Sequence, residues 1–131
     1  MAQDTIKEEY VSFEIAKLLK NKGFNQNCAT YYFDGQVWRH YRCEVIPKGK
    51  QIYAAPTQAM VMKFLREVHK IHIVAEPCLG EGFDDTLYFN RWFWTILKEE
   101  GEYKPIRKID EFPTYEQACE AAIKYCLENL I

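Results

Sequence analysis

The earliest regular pattern in the chain runs from Ser12 to Gly23, where Ile15, Leu18 and Leu19 recur at helical spacing while Phe13 and Ala16 widen the apolar stripe. A serine N-cap and a glycine stop bound it, so a first helix is expected there. Residues 1–10 are polar and read as a flexible lead-in. The second helical pattern opens at Pro56-Thr57, with threonine as N-cap and Val61, Phe64, Leu65 and Val68 as the expected buried stripe. The third is the clearest. Thr114 and Gln117 form a T-x-x-Q capping box, and Tyr115, Ala118, Cys119, Ala122, Ile123, Cys126, Leu127 and Leu130 make one continuous stripe.

Between these helices the period drops to two. YYF at 31–33 is followed by HYRCEVI at 40–46, where Tyr41, Cys43 and Val45 alternate with Arg42 and Glu44, and then by QIYA at 51–54. Asp34-Gly35 and Lys48-Gly49-Lys50 supply turn chemistry, since glycine reaches positive φ cheaply. IHIVA at 71–75 is a further strand, and 76–85 is an acidic, glycine-bearing loop. The stretch from Thr86 to Lys98 reads as a long strand with two apolar faces, Tyr88, Trp92, Trp94 and Ile96 on one and Phe89, Phe93 and Leu97 on the other. A last strand is expected over 103–109, with Pro105 marking an edge because proline cannot donate to a ladder.

Three helices and five or six mostly antiparallel strands predict an α+β fold. Because the 86–98 strand asks for cover on both faces, the expectation is one five- to six-stranded sheet with helices on both sides, a layered α/β/α sandwich. A sheet covered on one face is the fallback. The 131 residues are expected to form a single domain, a size at which a chain buries roughly two-thirds of its unfolded surface.

Composition sharpens this picture. A hydrophobic share of 48% and an aromatic share of 15% exclude a disordered chain. No apolar run approaches the roughly 20 residues of a membrane span, and MAQDTIKEEY lacks the plan of a secretory signal, so the expected address is the cytoplasm. Five dispersed cysteines, Cys28, Cys43, Cys78, Cys119 and Cys126, fit reduced thiols and no disulfides. A net charge of −2 gives no global attraction to nucleic acid or to an anionic membrane.

The segments VSFEIAKLLKNKGFNQNC, AAPTQAMVMKFLREVHKIHI and TYEQACEAAIKYCLENLI resemble small proteins of phages, prophages and mobile elements of Bacteroidetes. The order of strands, P-T helix and alanine-rich final helix is also similar in layout to the phage α/β/α sandwich domain. The resemblance implies a phage-derived accessory protein with a compact layered fold. It carries over no catalytic, cofactor-binding or metal-binding residue, because the matching positions are caps and core.

His40-x-x-Cys43, His69-x-x-His72 and Cys78 have the residue types of a zinc site, yet no C-x-x-C pair exists and residues three apart on a strand point to opposite faces. Cys119 and Cys126 read as core, which leaves Cys28 and Cys78 as the thiols to test for nucleophilic character. Glu81, Asp84 and Asp85 lack the alternating carboxylates of a calcium loop. No phosphate-binding glycine loop and no nucleophile elbow occurs.

Aromatic and basic side chains do interleave at Trp38, Arg39, Tyr41 and Arg42, and again at Arg91, Trp94 and Lys98, as a surface that stacks bases and meets phosphates would require. The ordinary reading of strand aromatics is core. The leading expectation is a noncatalytic module, without cofactor or membrane, that binds a host or phage protein or itself. A nucleic-acid-binding module is the alternative, and a cysteine-dependent enzyme the third reading.

Overall fold

The computed structural model describes residues 6–26, 28–33, 36–39, 52–78, 91–99 and 105–131. Contacts divide the chain into two compact units, Met1–Met60 and Val61–Ile131.

In the first unit, α1 spans Phe13–Asn21. The Ser12 Oγ accepts the Ile15 N–H at 3.3 Å, which satisfies one of the free donors of the first turn. At the other end Gly23 adopts φ 84°. Its N–H donates to the Lys20 carbonyl at 3.2 Å, and the Phe24 N–H donates to the Leu19 carbonyl at 2.9 Å. This pair of bonds is a Schellman closure, and the buried side chains of Leu19 and Phe24 make its apolar counterpart.

Three strands follow, β1 at Thr30–Phe33, β2 at Gln36–Arg39 and β3 at Ile52–Ala54, joined antiparallel in the order β2-β1-β3. Tyr32 and Tyr53 face each other across the β1–β3 ladder. α1 packs against β3, and Phe13 meets both rings edge-on, at 5.4 Å from Tyr32 and 5.5 Å from Tyr53. Such contacts each contribute about 0.5–1.5 kcal/mol beyond the area they bury. The Tyr32 hydroxyl donates to the Val11 carbonyl at 2.8 Å. The lead-in is tied here as well: Val11 N–H donates to the Pro56 carbonyl, Gln58 N–H to the Glu9 carbonyl, and Tyr10 bridges Thr57.

α2, Gln58–His69, starts at the end of the first unit with its Met60 N–H capped by the Thr57 hydroxyl at 3.1 Å. Val61, Phe64 and Leu65 are buried as expected. Val68 is not: it is 58% exposed, while the half-buried His69 beside it sets its ring edge-on to Phe64 at 5.1 Å. One residue, Lys70 at φ 57°, turns the chain from helix to strand.

The second unit continues with β4 (Ile71–Pro77), β5 (Trp92–Lys98) and β6 (Ile106–Phe112), an antiparallel sheet in the order β4-β5-β6, and closes with α3 (Tyr115–Asn129). Thr114 caps α3 by accepting the Gln117 N–H at 3.1 Å. α3 lies across all three strands and buries Ala118, Cys119, Ala122, Ile123, Cys126 and Leu127. Trp92 and Trp94 present their faces of β5 to it, each at 5.4 Å from a helix tyrosine, Tyr115 and Tyr125 respectively. On the opposite face Thr95 is 6% exposed, and its hydroxyl has no hydrogen-bond partner among the described residues.

Among the described residues the chain is α+β with three helices, but the expected single five- to six-stranded sheet is corrected. The described strands form two separate three-stranded sheets. The helices that pack on them serve different sheets, α1 against β3 and α3 across β4–β6, in place of the two sides of one layered sandwich. Side-chain alternation reports which face of a strand is buried and says nothing about which strands pair. Ala55 still donates to the Thr30 carbonyl of β1, while Pro56 turns to the side away from β1, where its carbonyl accepts the Val11 N–H and the segment Glu9–Val11 takes up the pairing. The expected strand 40–46 and residues 86–90 of the expected long strand lie outside the described residues, β2 arises where no strand was expected, and the last strand begins just after Pro105.

Two substitutions test this account by urea denaturation. A Cβ at Gly23 meets nothing within 4 Å, so Gly23→Ala costs only the left-handed backbone strain, about 1 kcal/mol, and Gly23→Asn costs less. Thr95→Val, which replaces an unpartnered buried hydroxyl by a methyl of similar shape, is expected to raise stability by about 1 kcal/mol.

Candidate interaction site

In an antiparallel ladder, residues alternate between those that exchange both backbone bonds with the neighbour and those that turn both groups away. Two bonds fix this phase for β4: the Glu99 N–H donates to the Lys70 carbonyl at 3.0 Å, and the Cys78 N–H donates to the Arg91 carbonyl at 2.8 Å. The register between these points is unbroken, from Ile71↔Lys98 to Pro77↔Trp92. His72, Val74 and Glu76 therefore bond to β5, while Ile71, Ile73, Ala75 and Pro77 turn their backbone groups to the outer side. Among the described residues no strand pairs with that side.

The result is an edge of seven residues in unbroken register on which alternate residues direct N–H and C=O groups outward, apart from Pro77, which has only a carbonyl to offer. Proline is tolerated there because its missing N–H falls on the free side. Side chains divide by the same alternation. Ile71 and Ile73 are buried on the α3 face, whereas the other face shows His72, Val74 and Glu76, with Val74 36% exposed. His72 Nε2 lies 2.8 Å from Glu99 Oε1, an exposed pair that contributes at most about 1 kcal/mol and holds the imidazole at the start of the strand.

This edge was missed in reading the sequence, although Pro77 next to IHIVAE carries the same signal that marked Pro105. Of the aromatic and basic residues singled out instead, Trp38 and Arg39 lie on β2, opposite Tyr31 and Thr30, and Tyr41 and Arg42 lie outside the described residues. Arg91 and Lys98 are exposed at opposite ends of β5, and Trp94 between them is 2% exposed beneath α3. The structure does not assemble these three into one stacking surface. A different cluster does form: Lys17 Nζ sits 5.1 Å over the Phe13 ring and Lys20 Nζ 4.8 Å over the Tyr53 ring. Lys20 also donates to the Ile52 carbonyl at 3.4 Å, so this arrangement fastens α1 to its sheet.

The metal and nucleophile candidates separate too. His69 and His72 face Phe64 and Glu99, while His40, Cys43, Glu81, Asp84 and Asp85 lie outside the described residues. Among the described residues no three His, Cys, Asp or Glu side chains converge on a metal-sized site. Burial raises the Cys28 thiol, which disfavours the thiolate a nucleophile needs. Cys119 is raised by burial, in part offset by a hydrogen bond from Tyr115, and burial pushes Cys126 up to about 12. Cys78 is half-buried beside the end of β4.

No protein-family model, no curated protein and no solved structure matches the chain. Among the described residues no helix is long and apolar enough to cross a membrane.

Cys126 makes an alkaline limit measurable. Its folded pKa lies above the ordinary value of 9.0, so the neutral thiol stabilises the fold fully below about pH 9, and that contribution is lost as pH rises from there toward 12. Each such thiol gives a slope of up to about 1.4 kcal/mol per pH unit in this window. Urea denaturation near pH 8 and near pH 10 should show the loss, with a smaller difference in Cys126→Ala.

Proposed function

We propose that this chain is a noncatalytic accessory protein of phage or mobile-element origin that works as a protein-interaction module through the free edge of β4. The origin rests on the resemblance of segments 11–28, 54–73 and 114–131. The observation that carries the interaction reading is the set of outward backbone groups on β4 beside the exposed Val74. An edge of this kind is completed by a strand from another chain, with main-chain bonds supplying affinity and alternate side chains supplying selectivity.

Tagged wild-type protein and Val74→Lys, captured from nuclease-treated lysate of a host carrying the element, test the reading. Val74 points away from α3, so the variant keeps its core. Wild type is expected to retain a specific protein and Val74→Lys to lose it about tenfold, since a charge set against an apolar cross-strand neighbour weakens pairing. Recovery of nucleic acid alone, with every protein released by nuclease, overturns the reading in favour of nucleic-acid binding.

A further inference from the structure

We propose that the strand completing the β4 edge is β4 of a second copy of the chain, running antiparallel with Val74 on the two-fold axis. This rests on the interaction reading and names its partner.

The backbone phase restricts the choice. Residues that bond across the new ladder must be those with outward groups, Ile71, Ile73, Ala75 and Pro77, so only registers that pair these with one another are allowed. With Val74 on the axis, Ile73 of one copy exchanges both bonds with Ala75 of the second copy, and the reverse pair repeats this by symmetry. The Ile71 N–H meets the Pro77 carbonyl of the second copy. Pro77 has no N–H to contribute, and the ladder ends there. Every residue of β4 is used.

The side chains select the same register. Val74 stands opposite Val74 of the second copy, and His72 stands opposite Glu76, twice by symmetry. These are the close, non-bonded pairs of an antiparallel ladder, with Cα atoms about 4.5 Å apart, where an apolar pair and an imidazole–carboxylate pair each favour association. Sliding to the adjacent allowed registers puts Ile73 or Ala75 on the axis, sets Val74 against His72 or Glu76, and shortens the overlap. His72 keeps Glu99 on one side of its ring and gains Glu76 of the second copy on the other. The contact is isologous, so it closes at a dimer and joins two three-stranded sheets into one of six.

The test uses the whole chain with Val74→Lys and Val74→Glu, each checked for native circular dichroism, and sedimentation equilibrium across a wide concentration range. Wild type is expected at twice the 15.6 kDa chain mass. Each variant alone places like charges on the axis and is expected to dissociate about tenfold or more readily. An equimolar mixture of the two is expected to recover the dimer as a salt-sensitive heterodimer. A wild-type protein that stays at 15.6 kDa, or a mixture that associates no better than its parts, overturns the self-pairing. If the captured host protein is still lost with Val74→Lys, the interaction reading stands without it; if capture also fails, both fall.

Discussion

A strand can satisfy only half of its backbone groups on each side, and everything distinctive about this molecule follows from where that rule leaves groups over. β5 has neighbours on both sides and sits at the centre of its sheet. β4 has a described neighbour on one side only. The bonds at Lys70–Glu99 and Cys78–Arg91 fix which groups of β4 turn outward, and hence which side chains accompany them on the exposed face. α3 then seals the other face with a stripe of small and aliphatic residues that no polar substitution would leave intact.

The helices were legible in the sequence because each carries its own punctuation. Ser12 with Gly23, Thr57, and Thr114 with Gln117 act through bonds within three residues of themselves, so their role does not depend on the rest of the chain. The individual strand at 71–77 was legible for a similar reason, through its alternation. Strand partnership was not. The pairing of Tyr32 with Tyr53, or the separation of β1–β3 from β4–β6, depends on contacts between segments whose composition is nearly interchangeable. An apolar strand such as 92–98 shows that cover is needed and leaves its source open.

The site followed the same division. Trp94 looked like a stacking residue because aromatic character is visible in a sequence, and its depth beneath Tyr125 is not. Val68 misled in the opposite sense, as an apolar residue at helical spacing that is exposed, while the contact with Phe64 is made by the half-buried His69. The β4 edge left only one mark in the sequence, a proline at position 77, whose meaning depends on knowing the phase of the neighbouring ladder.

The bridge between Tyr10 and Thr57 bears on the order in which the chain acquires its structure. In the second unit each strand pairs with the next one along the chain, so its contacts are short-range and its sheet assembles with little loop entropy to overcome. The first unit has to bring residue 10 to residue 57 before its lead-in is held, and that closure draws together the most widely separated partners among the described pairings. On a ribosome, α1 is free to form as soon as it emerges, yet the segment ahead of it stays loose until the start of α2 has been made. The last event in building the first unit is thus set by synthesis of a residue near the middle of the chain.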